Sequence, residues 1–272
     1  MQNHYQIGKL GREFASSRAV LAVNPSGTAV VFVHGYSGDA TGTWADFDDL
    51  LPREASSVGC DMIFHAYDGI YAELVASATL FADFLCQLAT DPIVIIGSAL
   101  PPSVRRDPGF GYRRILLVAH SLGAVLSRWA LLELRDRKVQ GLERFEMILY
   151  APAHCGARVP QLIAEVAGAF SFARALASFA RFKSPLIQQL ERDSAELRTL
   201  QERARSAIRE CGPKSYLRPF CVAIGERDNV VYNLKFLDDD PPPRAVRGAT
   251  HIDICKPHAT WRDPLTILLA NL

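Results

Sequence analysis

The chain is 272 residues long, 49% hydrophobic and 22% charged, a composition close to the globular average that excludes disordered, collagen-like and coiled-coil classes. Its 30 basic residues stand against 29 acidic ones for a net charge of +1, so no long-range field selects nucleic acid or an anionic membrane as a partner. The length suits one large α/β or barrel domain as well as two small ones.

Taken in chain order, residues 1–18 carry Lys9, Arg12, Glu13 and Arg18 and lack the apolar run of a secretory signal, so the cytoplasm is the expected compartment. Residues 28–33, 61–64 and 114–118 are short, mainly apolar runs rich in branched side chains, the second and third opening on Asp61 and Arg114. Their continuous rather than alternating character predicts strands covered on both faces, as in a parallel sheet between helices. Residues 46–57 open on acidic side chains suited to a helix start. Residues 72–89 place Leu74, Ala78, Phe81, Leu85 and Leu88 at spacings of three and four, the period of a helix with one buried face. Residues 122–138 predict another helix, closing on Arg135, Arg137 and Lys138, where cations complement the helix dipole. Residues 145–150 and 220–224 read as further strands, 243–247 as a last short one and 261–272 as a closing helix. This alternation predicts an α/β fold with a mostly parallel central sheet flanked by helices.

Two segments exceed that series. Residues 92–112 hold Pro101, Pro102, Pro108, Gly109 and Gly111 and predict an irregular insertion, with 92–96 ambiguous between strand and helix. Residues 158–210 are helical in pattern almost throughout, which predicts a helical cap over the sheet edge within a single domain spanning 1–272. The most apolar stretch, 161–183, is interrupted by Glu165, Arg174 and Arg181. It falls short of the roughly 20 uncharged residues of a membrane span, and no integral membrane segment is expected. The six cysteines, Cys60, Cys86, Cys155, Cys211, Cys221 and Cys255, form no C-x-x-C pair, which favours free thiols over a disulfide framework or a zinc knuckle. No H-E-x-x-H occurs, and the glycines at 35, 38 and 42 are followed by no Gly-Lys-Ser/Thr, so no metal, phosphate cradle or cofactor is implied.

The strongest signal is Val118-Ala-His-Ser-Leu-Gly-Ala124, where a predicted strand gives way to a predicted helix. A serine hydroxyl is a weak nucleophile until a tight turn projects it toward a base, and small residues at 119 and 123 let the helix start close to neighbouring strands. A helix-capping serine would explain the position but not the small-x-Ser-x-Gly spacing. From about Val30 onward the chain resembles the α/β-hydrolase superfamily, in particular its serine lipases and esterases, including the branch of bacterial lipases and GPI inositol-deacylases. The similar segments fall in family order. Val33-His-Gly-Tyr-Ser-Gly38 resembles the oxyanion loop, Gly225-Glu-Arg-Asp-Asn-Val-Val231 the acid turn and Thr250-His-Ile-Asp-Ile-Cys-Lys-Pro257 the histidine loop. Pro152-Ala-His-Cys-Gly156 resembles the Pro-His-x-Gly turn of lipases. Two departures stand out: Ala119 replaces the first elbow glycine, and the stretch before Val30 is too short for the family's full first two strands. The resemblance therefore implies a sheet trimmed at its N-terminal edge.

Weighed on their own chemistry, the possible bases for Ser121 are His4, His34, His65, His120, His154, His251 and His258. His120 adjoins the serine, where consecutive side chains diverge, and is expected as a packed neighbour. His34 precedes a glycine turn and is expected to brace it. His251 follows the last strand in a polar loop, at the edge where open parallel sheets gather ligands, and is the preferred base, with His154 and His258 as alternatives. The acid must hold that imidazole in the right tautomer. Asp228 is preferred over the run Asp238, Asp239 and Asp240, expected in a solvated turn, and over Asp253, which is too near His251 in sequence. The order Ser, Asp, His is that of the α/β-hydrolases. Backbone N–H groups of Tyr36 and Leu122 are the candidates for holding an oxyanion.

These residues predict a serine hydrolase that cleaves carboxylic esters, small or lipid, through an acyl-enzyme. An acyltransferase, thioesterase or amidase would use the same machinery, and a non-catalytic binding protein could keep the fold. In the cap, Phe170, Leu176 and Phe179 are the expected acyl-binding residues, with packing of cap against core as the other role open to the phenylalanines.

Overall fold

The computed structural model describes residues 4–7, 10, 16–97, 100, 106–168, 184–212 and 215–272. An eight-stranded sheet forms the centre: β1 (His4–Ile7), β2 (Arg18–Ala22), β3 (Thr28–Val33), β4 (Cys60–His65), β5 (Arg114–His120), β6 (Phe145–Tyr150), β7 (Cys221–Gly225) and β8 (Arg244–Val246). The strands lie in the order β1-β2-β4-β3-β5-β6-β7-β8. From β4 to β8 every neighbouring pair is parallel, whereas β2 runs antiparallel to both β1 and β4. The expected trimming of the N-terminal edge is thereby corrected. Antiparallel strands need no helical crossover between them, so the short stretch before Thr28 supplies two. In the middle of the sheet, residues 29–33 and 115–119 have no exposed surface, the two-sided burial that their unbroken apolar runs predict.

The helices are α1 (Phe47–Leu50), α2 (Leu74–Thr90), α3 (Pro92–Ile96), α4 (Leu122–Asp136), α5 (Val159–Gly168), α6 (Pro185–Gln189), α7 (Ala195–Cys211) and α8 (Asp263–Leu269). The helix expected over 46–57 stops early, because Pro52 has no N–H to continue the ladder, and the chain goes on as single 3-10 turns at Leu51–Arg53 and Ala55–Ser57. The ambiguous run at 92–96 is helical, with Pro92 in the first turn, where a missing N–H is tolerated. Beyond it, the insertion has a packing role. Arg106 donates to both carboxylate oxygens of Asp61 at 2.7 and 2.9 Å, and the Tyr112 hydroxyl and the Ala22 amide donate at 2.7 and 2.8 Å. Asp61 is wholly buried on β4; burial pushes its carboxyl up, and these donors offset part of that push.

A second buried ion pair ties α4 to the loop before β8. Arg128, without exposed surface, donates through Nη2 to both oxygens of Asp240 at 2.8 and 2.7 Å. Asp240 is therefore not in the solvated turn expected of it; it is 5% exposed, drawn in by the guanidinium. The segment 158–210 contributes α5, α6 and α7, and Phe170, Leu176 and Phe179 lie outside the described residues. The start of this insertion is tied down on two sides, with the Ala157 amide donating to Leu190 O at 2.8 Å and the Arg158 amide to Val230 O at 2.7 Å. No helix among the described residues is long and apolar enough to cross a membrane.

Candidate active site

Loops leaving the carboxyl ends of β3, β5, β7 and β8 meet at one place, the position at which open α/β sheets bind ligands. Ser121 is the single residue between β5 and α4, with φ 53° and ψ −117°. Such a conformation costs a non-glycine residue about 1–3 kcal/mol and persists where the surroundings fix it. Here the Ser121 amide donates to Tyr150 O on β6 at 3.0 Å, and its carbonyl accepts from the Ala153 amide at 3.2 Å. Gly123 is required by close approach: a Cβ there would fall on the carbonyl oxygens of Val33 and His34. A Cβ on Gly35 would stand 2.9 Å from His120 Nδ1 and 3.0 Å from Ser121 Cβ. The loop after β3 thus packs directly against the serine.

His251 Nε2 lies 3.0 Å from Ser121 Oγ, and His251 Nδ1 lies 2.9 Å from Asp228 Oδ2. An ionised carboxylate only accepts, so Nδ1 carries the proton and the Nε2 lone pair faces the serine hydroxyl. The other oxygen of Asp228 accepts from the amides of Val230 and Val231 at 2.8 and 3.1 Å. Burial opposes the charge on Asp228, but the hydrogen bond and charge of His251 together with those amides outweigh it and hold the carboxyl below its ordinary range. The acid and histidine loops are fastened to each other, Glu226 and Arg227 donating from their amides to Val246 O and Ala249 O, each at 2.9 Å. Ser121, Asp228 and His251, chosen from sequence, are therefore brought together. The alternatives are elsewhere: His154 packs on Phe236 with ring centroids 4.7 Å apart, His258 is exposed, and Asp253 accepts from the Thr250 hydroxyl at 2.9 Å.

His120 does more than pack beside the serine. Its Nε2–H donates to the backbone carbonyl of His251 at 2.8 Å, with the two rings 4.9 Å apart. Burial, reinforced by the charge of His251, pushes the His120 imidazole down to about 3, so the ring is neutral at physiological pH and its one N–H braces the histidine loop. His34 braces its own turn as expected, Nδ1 meeting Gly35 O at 2.9 Å while the ring stacks on Tyr67 at 4.2 Å.

A cleft of about 200 Å³ opens over Ser121 and His251. Tyr36, Leu162, Val166 and Ile252 give it apolar walls, and Glu165 and Lys256 add charge. Leu122 is the first residue of α4, where an N–H has no acceptor within the helix; Tyr36 lines the cleft on the loop after β3. From sequence, Glu165 figured only as a charge interrupting an apolar stretch, not as a residue of the site. The available signal was the i, i+3, i+4 relation of 162, 165 and 166, which puts one carboxylate in an otherwise apolar stripe of α5.

The chain has the α/β-hydrolase fold. Among solved structures it is similar to the mature form of the Bacillus licheniformis lipase BlEst2, with a TM-score of 0.55, 15% identity and coverage of 91% of this chain and 92% of that one. YbtT, a type II thioesterase from the yersiniabactin NRPS/PKS biosynthetic pathway, aligns at a TM-score of 0.52 and 14% identity over 94% of this chain and 97% of its own. The Paleococcus ferrophilus monoacylglycerol lipase aligns at 0.51 and 13% over 97% and 100%. No family model and no curated protein matches the sequence. At such identities the likeness is one of fold.

Proposed function

We propose that this protein is a serine hydrolase that cleaves carboxylic esters through an acyl-enzyme on Ser121. The observation that carries the reading is the continuous chain from Asp228 through His251 to Ser121 Oγ, at 2.9 and 3.0 Å, with the serine on a strained turn beneath an open cleft. In the first half-reaction, Ser121 Oγ attacks the ester carbonyl as its proton passes to His251 Nε2. The developing oxyanion is held by the amides of Leu122 and Tyr36, each such donor being worth about 3–4 kcal/mol where one has been removed from comparable sites. The tetrahedral intermediate collapses, the C–O bond to the alcohol breaks, and His251 returns the proton to the departing oxygen. Water, deprotonated by His251, then attacks the acyl carbonyl, and the acid leaves with Ser121 restored. Asp228 orients His251 and stabilises its charged form throughout.

The apolar walls contributed by Leu162, Val166 and Ile252 suit the acyl or alkyl part of an ester, lipid or smaller. The helices of 158–210 act in this reading as a cap over a single domain, and the six separate thiols fit a reducing, cytoplasmic compartment. The test is pre-steady-state hydrolysis of a p-nitrophenyl ester. An acyl-enzyme predicts a burst of one p-nitrophenolate per chain when deacylation is the slower step, abolished in Ser121→Ala and in His251→Ala. Turnover that survives Ser121→Ala overturns the reading.

A further inference from the structure

Among the charged groups lining the cleft, Glu165 combines no task in that chemistry with a buried, unpartnered oxygen among the described residues. Glu165 stands on α5 with Leu162 and Val166 on the face that lines the cleft above Ser121 and His251. Its Oε2 is buried and has no hydrogen-bond partner among the described residues. The other acid on the cleft wall, Asp39, is already occupied, Oδ1 accepting from the amides of Thr41 and Gly42 at 2.9 and 2.6 Å. Burial pushes the Glu165 carboxyl up; His251 opposes that push, and Asp228 and Asp253 add to it. A buried acceptor without a donor is costly and points to a group that completes it. A purely hydrocarbon substrate would make the position worse, since it would shield the carboxylate without supplying a proton to accept.

We propose that Glu165 is a specificity-determining residue that selects esters bearing a hydrogen-bond donor, a hydroxyl, amide N–H or ammonium, a few bonds from the scissile carbonyl. This rests on the serine-hydrolase reading and narrows its substrate class from esters in general to polar-functionalised ones. Leu162, Val166 and Ile252 receive the hydrocarbon portion, while Glu165 accepts from the donor and so fixes which way the substrate lies over Ser121. A hydrogen bond to an ionised acceptor supports a preference of about tenfold or more.

The experiment compares kcat/KM within two pairs of esters matched in heavy atoms. p-Nitrophenyl 6-hydroxyhexanoate against p-nitrophenyl heptanoate probes the acyl side, and 2-hydroxyethyl butyrate against propyl butyrate the alcohol side. In wild type the hydroxyl member is expected to be preferred about tenfold in one pair. Glu165→Leu should collapse that ratio to about one, and Glu165→Gln, which keeps a carbonyl acceptor of the same shape without the charge, should leave an intermediate ratio. Turnover of all four esters with no preference in wild type, or with ratios unchanged in Glu165→Leu, overturns the role of Glu165 and leaves the hydrolase reading standing. Absence of turnover in wild type, together with failure of a fluorophosphonate to label Ser121, overturns the hydrolase reading and this inference with it.

Discussion

At the scale of single residues, the site depends on contacts that a one-atom change would upset. Gly123 has the carbonyl oxygens of Val33 and His34 where a Cβ would go, so Gly123→Ala has to push α4 away from β3. We expect a loss of about 1–3 kcal/mol, the range for overpacking a close-packed site. That is a fall in Tm of about 2–4 °C for each kcal/mol at this chain length, read by calorimetry, together with loss of esterase activity. Asp228→Asn keeps the shape but removes the acceptor that fixes the His251 tautomer; kcat should fall by about 10³–10⁴ with KM little changed. Ser121 and Gly123 were legible because an elbow leaves a local pattern, small-x-Ser-x-Gly at a strand end. His120 was legible only as a neighbour of the serine, because its partner, the backbone carbonyl of His251, lies 131 residues away and a carbonyl leaves no mark in a sequence.

Among the elements, the central parallel strands could be read because burial on both faces leaves continuous apolar runs. β1 and β2 could not. β2 lies one strand in from the edge, with Arg18 exposed and the rest buried, and both strands precede the stretch from Val30 on which the resemblance rests. The insertion at 92–112 was opaque for another reason: its proline and glycine content marks irregularity, whereas its purpose, Arg106 and Tyr112 on the buried Asp61, is visible only in three dimensions. The same holds for Asp240, where an acidic run beside prolines hides an ion pair with Arg128 on α4. Removing one partner of a buried pair strands the other charge, so Asp240→Ala should cost about 3–5 kcal/mol. Urea unfolding measures this directly. A change no larger than that of an exposed aspartate, such as Asp238→Ala, would mean that Arg128 finds another acceptor.

For the whole molecule, the buried histidines set the acid limit of stability. His65 and His120 are each pushed from 6.5 down to about 3, by burial first and by the charge of His34 and of His251 second. Between those values the unfolded chain binds protons that the folded chain refuses, so stability rises with pH across the window and is lost as pH falls from 6.5 toward 3. Each histidine contributes a slope of up to about 1.4 kcal/mol per pH unit. Asp228, held below its ordinary range, adds a loss of the same sign only at lower pH, through the carboxylate range. Urea midpoints measured from pH 7 to 4.5 should therefore fall steadily. His65→Phe, whose ring can keep the contacts with Phe81 and Phe84, should flatten the slope by about one histidine's share; an unchanged slope would contradict the neutral buried ring.

The central claim is that Ser121 is a nucleophile activated by His251, and a fluorophosphonate probe tests it most directly, through intact mass and peptide mapping. Wild type should gain a single adduct, on the peptide containing Ser121, with labelling slowed in Asp228→Asn and absent in Ser121→Ala, whose Tm should stay within a few degrees of wild type because only one hydroxyl is lost. Labelling of Ser121→Ala equal to wild type, or an adduct mapped to a different residue, would contradict it.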